Sequence, residues 1–308
     1  ADSFTQAELA RATGLAPATI SNIVRDLGAA GLLESDPGSG RRGSSVRLGP
    51  GAGHVLGIDF GHSHVAVTLA DTAAEAIVLP GLRALTPDIP VVYEEEHAEG
   101  SSPTEIGDRF WVVDPLDGTT NFLHGIPHFA ISIALERDRK VEAGVVYNPI
   151  TDDLFIAERG KGAFHNDRRL RVSGRADIAD SIFGTGIPFL GRDGHEPYIV
   201  ELQSVMAQSA GIRRFGAAAL DLAFVAAGRY DGFWEHGLSR WDIAAGILLV
   251  REAGGMVSDF NGRDTMLDSG DIVATNGALD RDFPISGTTR LNFETPGLRS
   301  VMTGSARK

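Results

Sequence analysis

Two aspartates three positions apart carry the clearest chemical signal in this sequence. Asp114 and Asp117 lie in the segment WVVDPLDGTTNF, where an apolar run delivers both carboxylates just past a predicted strand end and Pro115 holds the backbone between them. Two carboxylates at this spacing can hold a hard divalent cation through oxygen. Gly118 permits a tight turn, and the free N–H groups of a helix that starts near Thr119 can bind an anion. A cation site beside an anion site predicts metal-assisted transfer of a phosphoryl group to water.

An aspartate-rich turn that merely caps a helix is the simpler explanation for a lone D-x-x-D pair. Two further acidic signals favour a site. A run of three glutamates, Glu94–Glu96, follows the apolar residues of a predicted strand, so at least one glutamate lies at a strand end. Asp242 opens a strongly apolar helix, where capping would be its ordinary role. Together with Asp114 and Asp117, these residues indicate a cluster of carboxylates.

Alternating strands and helices are predicted around these acidic residues. Short apolar runs typical of strands cover residues 128–135, 143–147 and 154–157. Longer periodic segments typical of helices cover residues 217–227 and 242–253. This alternation with short loops is typical of α/β or α+β domains.

The segments on either side of that region have a different character. An apolar stripe predicts a helix that starts near Asp71 and ends before Pro87 and Pro90. Residues 55–70 are predicted to form two strands around a glycine-flanked turn. Residues 281–308 are polar without a sustained period, which predicts a loose tail.

The composition excludes several classes of protein. The 308 residues include 28 basic and 41 acidic side chains, a formal net charge of −13, which disfavours a general nucleic-acid coat. The absence of cysteine excludes disulfides, zinc–thiolate sites, iron–sulfur clusters and cysteine nucleophiles. The longest apolar run, Ile243 to Val250, is far shorter than the roughly 18 residues of a membrane span. The N-terminus lacks the pattern of a secretory signal. We therefore expect a cytoplasmic enzyme or regulator that does not enter a membrane.

Residues 3–50 have the pattern of a DNA-binding module. Short helices are predicted over residues 3–35 and a strand over Ser45–Leu48. A helix over residues 16–29 would enter the major groove of DNA. The side chains that would face bases or phosphates there are Thr19, Asn22 and Arg25. The first 50 residues carry five basic and five acidic side chains, a weak electrostatic footprint, so a helical bundle without a DNA role stays open.

Four segments together resemble the inositol monophosphatase family. They are PVVYEEEHAEG, WVVDPLDGTTNF, GIRRFGAAALDLAFVAAGRYDGFWE and WDIAAGILLVREAGG, and the resemblance runs from about Asp71 to Leu279. It implies the layered αβαβα sugar-phosphatase fold, an α/β (α+β) architecture that here would lack its usual front helix. The cofactor implied is Mg²⁺, with several ions per site, and we expect a homodimer.

The same resemblance implies roles for individual residues. The metal ligands would be Glu95, Asp114, Asp117, Asp242 and the backbone carbonyl of Leu116, with Asp71 as an outer-site residue. Glu94 or Glu96 could replace Glu95, because a run of three glutamates leaves the register open. Glu95 and Thr119 would orient and deprotonate the attacking water, and Asp117 would help to deliver a proton to the leaving group. The substrate would contact the N–H groups of Gly118 and Thr119 through its phosphate, and Gly216, Ala218 and Glu235 through its ring.

The reaction implied is hydrolysis of a small polyol or sugar phosphate. Water would attack phosphorus in line with the leaving alkoxide, without a covalent phosphoenzyme. The leading substrate is myo-inositol 1-phosphate. Histidinol phosphate, fructose bisphosphate and nucleotide 3′-phosphates also suit relatives of this fold and stay open.

A second resemblance covers the start of the chain. QAELARATGLAPATISNIVRDLGAAGLLE and GRRGSSVRL resemble the winged helix-turn-helix of the ROK family of repressors and sugar kinases, and GHVLGIDFGHSHVAVTLAD resembles the first strands of its kinase domain. We therefore expect a winged helix-turn-helix at 1–50, a ROK-like strand-turn-strand remnant at 51–70, a phosphatase-like domain at 71–280 and the tail at 281–308. Both resemblances break near residue 71, which favours a chimera over a natural fusion. The alternative function is a ROK-type DNA-binding regulator that carries an impaired phosphatase-like body.

Overall fold

The computed structural model divides into two units, Ala1–Gly81 and Leu82–Lys308. It describes residues 4–5, 21, 24–25, 33–36, 45–48, 63–94, 107–188, 193–280 and 283–284. Among these residues every helix is too short or too polar to cross a lipid bilayer.

The first unit contains a small antiparallel sheet. Its strands are β1 (Phe4–Thr5), β2 (Leu33–Asp36) and β3 (Ser45–Leu48), in the spatial order β1-β3-β2. The predicted strand at Ser45–Leu48 is confirmed. The prediction of short helices throughout residues 3–35 is wrong at β1 and at Leu33–Ser35, because pairing with β3 decides the conformation there. Ser21 and Val24–Arg25 are helical, as predicted.

A single long helix, α1 (Ser63–Leu85), precedes the strands of the second unit. Residues 63–70, predicted as strand and turn, belong to this helix, so that prediction is wrong there. β-Branched residues such as Val65 and Val67 favour strand locally, but their segment continues the apolar helical stretch that follows. Pro80 lies inside the helix and removes one backbone donor from it. The expected loss of a front helix concerns the residues before Asp71. Of these, residues 63–70 are helical, and most of the others lie outside the described part.

A seven-stranded sheet carries the aspartate pair. Its members are β4 (Val91–Tyr93), β5 (Arg109–Asp117), β6 (Ala130–Arg137), β7 (Lys140–Asn148), β8 (Asp153–Glu158), β9 (Gly162–His165) and β10 (Arg168–Arg169). They lie in the order β10-β9-β8-β7-β6-β5-β4, and every pair is antiparallel except β4 beside β5. The three strands predicted in this region are confirmed.

A five-stranded mixed sheet follows. Its members are β11 (Ile182–Thr185), β12 (Gly211–Arg213), β13 (Gly232–Glu235), β14 (Met256–Ser258) and β15 (Ile272–Thr275), in the order β12-β11-β13-β15-β14. The remaining helices of the second unit are α2 (Thr119–Leu123), α3 (His195–Met206), α4 (Ala218–Ala226), α5 (Arg240–Glu252) and α6 (Met266–Ser269). The helices predicted at 217–227 and 242–253 are confirmed as α4 and α5.

Helices α4 and α5 join the two sheets into one layered core. α5 packs on β6, β7 and β8 of the larger sheet, while α4 packs on α5 and on β11 and β13 of the smaller sheet. The close approach needs glycine: a Cβ at Gly246 would lie 2.5 Å from the Cβ of Leu222, and one at Gly144 would lie 3.0 Å from the Cα of Ala245. This packing holds the start of α5 close to β6.

The predicted loose tail begins too early. Phe283 is fully buried and packs against Phe183 and Trp234 at ring-centroid distances of 5.1 and 6.0 Å. The chain therefore still contributes to the core beyond the predicted boundary at residue 280. Residues 285–308 lie outside the described part.

Candidate active site

A β-bulge brings the two aspartates onto one face of β5. In a regular strand, residues three apart point to opposite faces. Here Asp114 pairs with Ser132 of β6 and Asp117 pairs with Ala130, so three steps along β5 match two steps along β6. The extra residue lies in the stretch that contains Pro115, which has no N–H to donate to the ladder. Because Ser132 and Ala130 share a face of β6, Asp114 and Asp117 share a face of β5.

Both carboxylates are buried and accept hydrogen bonds from backbone N–H groups. Asp114 is 2% exposed, and its Oδ1 accepts from the N–H of Leu116 at 2.9 Å. Asp117 is 8% exposed and accepts from the N–H groups of Ala218 at 3.2 Å and Ala219 at 2.7 Å. The N-cap residue of α4 makes no side-chain cap bond of its own. Asp117 therefore supplies the acceptor and the negative charge that the start of α4 favours.

The third carboxylate, Asp242, comes from the first turn of α5. It is half-buried, and its Oδ2 accepts from the N–H of Ser239 at 2.7 Å. The capping role expected for an aspartate at a helix start is thus present, although Ser239 and not Asp242 is the N-cap residue.

Of the three neighbouring glutamates, Glu94 is the one that the structure describes. It directly follows β4, which runs parallel to β5, and its charge raises the pKa of Asp114. Glu95 and Glu96 lie outside the described residues, so the role of Glu95 stays a prediction. Glu94, one of the two alternatives to Glu95, therefore lies within electrostatic range of Asp114.

These carboxylates repel one another in the metal-free protein. Burial raises the pKa of Asp114 well above its ordinary value, and the charges of Asp117, Asp242 and Glu94 raise it further. Burial also raises the pKa of Asp117 well above its ordinary value, with added contributions from Asp242 and Glu235. Each carboxyl group therefore holds its proton to a higher pH than an ordinary aspartate does, and a bound cation would offset the crowded negative charge.

The donor set fits a hard divalent cation. Carboxylate and carbonyl oxygens are the ligands that Mg²⁺ prefers, and a bound cation would remove the repulsion that raises these pKa values. The carbonyl of Leu116, a predicted ligand, accepts a hydrogen bond from the hydroxyl of Thr119 at 3.0 Å. Within the described part of the chain, no group of three or more acidic or histidine side chains is already arranged to hold a metal ion. The ligand assignments therefore stay predictions.

The turn after Asp117 needs glycine. Gly118 has φ 92° and ψ 34°, a left-handed conformation that L side chains rarely adopt. A Cβ there would also lie 3.1 Å from the carbonyl oxygen of His128 and 3.2 Å from the Cβ of Ala217. The predicted helix start at Thr119 is confirmed.

The three residues predicted to contact the substrate ring lie on separate elements. Gly216 is in the loop before α4 and has φ 83°. Ala218 is the first residue of α4, is 6% exposed and donates its N–H to Asp117, so that N–H is already engaged. Glu235 is the last residue of β13 and is half-buried.

Glu235 lines a cavity of about 370 Å³. The cavity wall includes His236, whose Nε2 lies 2.9 Å from Oε1 of Glu201 and whose Nδ1 lies 3.2 Å from Oδ1 of Asp271. Burial lowers the pKa of His236, but these two carboxylates raise it by more. The cavity wall therefore combines ionisable groups with apolar residues such as Ile187 and Pro197.

Several residues that arrange this site were not predicted from the sequence. Asn121 is 6% exposed and donates through Nδ2 to the carbonyl oxygens of His128 and Phe215, both at 2.7 Å, which ties α2 to the loop that carries Gly216. Its position in the motif DGTTNF was the sequence feature that could have identified Asn121. Gly186 had no signal: a Cβ there would lie 1.9 Å from Cδ of Glu235.

A third missed residue is Asp221 of α4. It is 1% exposed, and its Oδ1 has no hydrogen-bond partner among the described residues. Burial raises its pKa well above the ordinary value, and the charges of Glu235 and Asp117 add to this effect. Its helical, apolar sequence context gave no indication of an electrostatic link to the site.

The remaining predicted residues fall elsewhere. Asp71 lies in the interior of α1 and not at a helix start, and its side chain is outside the described part. Arg25 is an exposed helical residue, whereas Thr19 and Asn22 lie outside the described residues. The DNA-contact assignments therefore stay predictions.

Comparison with known proteins finds matches to the models of two families. Residues 57–285 match the model of the inositol monophosphatase family, and residues 1–42 match that of the MarR family. The first match starts before residue 71, so it includes much of the segment assigned to a ROK-like remnant. The second supports a winged helix without specifying the ROK family.

Individual relatives agree with the first match. The chain is 53% identical over 240 residues to an inositol-1-monophosphatase of Mesorhizobium japonicum, covering 75% of this chain and 89% of that protein. It is 53% identical over 213 residues to the Nus factor SuhB of Pseudomonas aeruginosa, covering 68% and 78%. The crystal structure of the extragenic suppressor protein suhB from Bartonella henselae matches with a TM-score of 0.65 and 49% identity, over 73% of this chain and 90% of that one.

The layered fold, the paired aspartates on the bulged strand and these comparisons agree. The chain belongs to the inositol monophosphatase family and is a phosphatase, a phosphoric monoester hydrolase.

Proposed function

We propose that the protein is a Mg²⁺-dependent phosphomonoesterase that hydrolyses a small polyol or sugar phosphate, with myo-inositol 1-phosphate as the leading substrate. The observation that carries this proposal is the pair of buried carboxylates, Asp114 and Asp117, on one face of β5 within electrostatic range of Asp242. Such a concentration of negative charge is stable in a working enzyme when a cation offsets it.

The residues of the chain have separate roles in this mechanism. Asp114, Asp117, Asp242 and the carbonyl of Leu116 would hold the cation, together with Glu95 or Glu94. Mg²⁺ supplies neutralisation of phosphate charge and a lower pKa for the attacking water.

Thr119 and the glutamate would orient that water. The hydroxyl hydrogen of Thr119 points to the carbonyl of Leu116, so its oxygen is left to accept a hydrogen bond from the water. The glutamate accepts the proton, and the N–H groups of Gly118 and Thr119 bind the phosphate. Asp117 would help to deliver a proton from a second water to the leaving alkoxide, and no covalent phosphoenzyme is needed.

The cavity beside Glu235 supports a small polyol as the leaving group. Its volume of about 370 Å³ lies at the lower end of the usual range for small-ligand pockets, roughly 300–1,000 Å³. The carboxylate of Glu235 at its wall can accept hydrogen bonds from the hydroxyl groups of a sugar or cyclitol.

A phosphate-release assay tests the proposal. Purified full-length protein would be titrated with Mg²⁺ against myo-inositol 1-phosphate, histidinol phosphate, fructose 1,6-bisphosphate and adenosine 3′,5′-bisphosphate. We expect release that requires Mg²⁺ and is fastest with the inositol phosphate. Faster turnover of another ester would revise the substrate, and no Mg²⁺-dependent release from any ester would refute the proposed function.

As a second candidate function, we propose that residues 3–50 bind DNA as a ROK-type winged helix. The MarR-family match and the three-stranded β1-β3-β2 sheet support a winged helix. The natural or chimeric origin of the fusion stays a prediction.

Binding to DNA fragments would be measured by mobility shift at several salt concentrations, and Arg25→Ala should weaken any specific shift by roughly 10-fold or more. Binding to a specific fragment that Arg25→Ala leaves unchanged would remove Arg25 from the interface, and no shift on any fragment would refute DNA binding.

A further inference from the structure

The carboxylates of the site lie on two separate elements, and something must fix the distance between them. Asp114 and Asp117 belong to β5 of the large sheet, whereas Asp242 belongs to the first turn of α5 in the helical layer. First turns of helices have backbone N–H groups without intrahelical partners and are prone to fraying. α5 contacts both β5 and its neighbour β6, and β6 pairs with β5 along the stretch that carries the aspartates.

Ser132 of β6 makes the first direct link. It is 1% exposed and lies directly opposite Asp114 in the β5–β6 pairing. Its hydroxyl donates a hydrogen bond of 3.0 Å to the backbone carbonyl of Trp241, the residue before Asp242. The buried side chain of Ser132 therefore links the strand position opposite Asp114 to the backbone next to Asp242.

Glu136 makes the second link, four residues further along β6. Residues an even number apart on a strand share a face, so Glu136 lies on the same face as Ser132. Glu136 is 1% exposed, and its two oxygens lie 2.8 and 2.6 Å from Nη1 of Arg240, the first residue of α5. Arg240 also reaches Asp268 of α6 through Nη2 at 3.2 Å. A charge-assisted contact this well buried strongly restrains the guanidinium group.

We propose that Ser132 and Glu136 are positioning residues that together hold Asp242 at its working distance from Asp114 and Asp117. This pair, the β6 clamp, binds the two residues that immediately precede Asp242 and leaves the carboxylate itself available to the site. The inference rests on the proposed function, because it concerns the affinity of the divalent cation that Asp242 would help to hold. Groups that orient metal ligands typically change metal affinity by about 10- to 100-fold when they are removed.

The test compares Ser132→Ala with a matched serine elsewhere. Ser181 is fully buried and its hydroxyl donates to the carbonyl of Asp177 at 2.7 Å, so Ser181→Ala loses the same kind of bond away from α5. Mg²⁺ binding would be measured by isothermal titration calorimetry, and the Mg²⁺ dependence of phosphate release in parallel. We expect Ser132→Ala to weaken Mg²⁺ binding by about 10- to 100-fold, with kcat at saturating Mg²⁺ within a few-fold of wild type, and Ser181→Ala to leave the affinity unchanged.

Glu136→Gln provides a second test, which keeps the proposal falsifiable if Ser132→Ala does not fold. Glutamine keeps the shape of the side chain and one acceptor oxygen but loses the charge that holds Arg240. It should weaken Mg²⁺ binding in the same direction, and the double variant should not exceed the sum of the two effects. Affinity equal to wild type in both variants, or an equal loss in Ser181→Ala, overturns the β6 clamp. Wild-type protein that binds Mg²⁺ but releases no phosphate instead refutes the proposed function alone.

Discussion

Asp114→Asn should abolish Mg²⁺-dependent phosphate release and at the same time stabilise the metal-free protein. The carboxylate of Asp114 is a predicted metal ligand, so its loss should remove several kcal/mol of the stabilisation that the cation gives to the transition state. That loss corresponds to a decrease in kcat/KM of at least about 100-fold. The stability gain has a separate cause, since asparagine removes one of the charges that crowd Asp117, Asp242 and Glu94. The two effects together distinguish a metal ligand from a residue that only supports the fold.

The pH dependence of stability has a definite sign. Burial and the neighbouring charges raise the pKa of Asp114 above its ordinary value of 3.8 in the folded protein. A carboxyl group of this kind binds its proton more tightly when folded, so its contribution to stability is complete below pH 3.8 and is lost as the pH rises through the folded-state pKa. At pH 8 in EDTA, Asp114→Asn should therefore raise Tm by at least about 2 °C over wild type, and the difference should shrink as the pH is lowered to 5.

Added Mg²⁺ should make wild type more stable than Asp114→Asn. Ligand at about 100 times its Kd stabilises the folded state by about 2.7 kcal/mol, and only wild type retains the full ligand set. Asp264→Asn is the matched control, because this exposed aspartate pairs with Arg251 away from the site. An Asp114→Asn variant that keeps wild-type phosphatase activity, or that is less stable than wild type in EDTA at pH 8, would contradict the assignment.

Gly186→Ala should impair substrate recognition without affecting the cation. A Cβ on Gly186 would lie 1.9 Å from both Cδ and Oε1 of Glu235, a separation that no pair of non-bonded atoms can tolerate. The side chain of Glu235 must therefore leave its position at the wall of the cavity. Misplacement of a binding group by about 1 Å can cost on the order of 100-fold, so we expect kcat/KM for the polyol phosphate to fall by that amount, chiefly through KM.

A second glycine provides the control for Gly186→Ala. Gly174 has nothing within 4 Å of where its Cβ would lie, and Gly174→Ala should leave kcat/KM within a few-fold of wild type. Calorimetry with Mg²⁺ should give the same affinity for Gly186→Ala as for wild type, which separates loss of the ring contact from loss of the metal site. Unchanged kinetics in Gly186→Ala would show that Glu235 does not contact the substrate.

Local sequence was sufficient to predict much of the backbone around the candidate site residues. The glycine after Asp117 and the helix start at Thr119 follow from short-range conformational preferences, and so do the apolar helices α4 and α5. The errors at residues 4–5, 33–35 and 63–70 have the opposite origin. There the conformation depends on strand pairing or on continuity with a neighbouring helix, which outweighs the preference of each short segment.

The chain by itself determined that carboxylates, a tight turn and new helix N–H groups occur together, because these features depend on residue type over a few positions. Only the tertiary structure decided that Asp114 and Asp117 face the same way, since a regular strand would separate them and the bulge against β6 does not. It also placed Glu94 within electrostatic range of Asp114, set Gly186 next to Glu235 and linked Ser132 to the start of α5. These relations join residues far apart in sequence, and they arise from strand register and close packing, which no local pattern specifies.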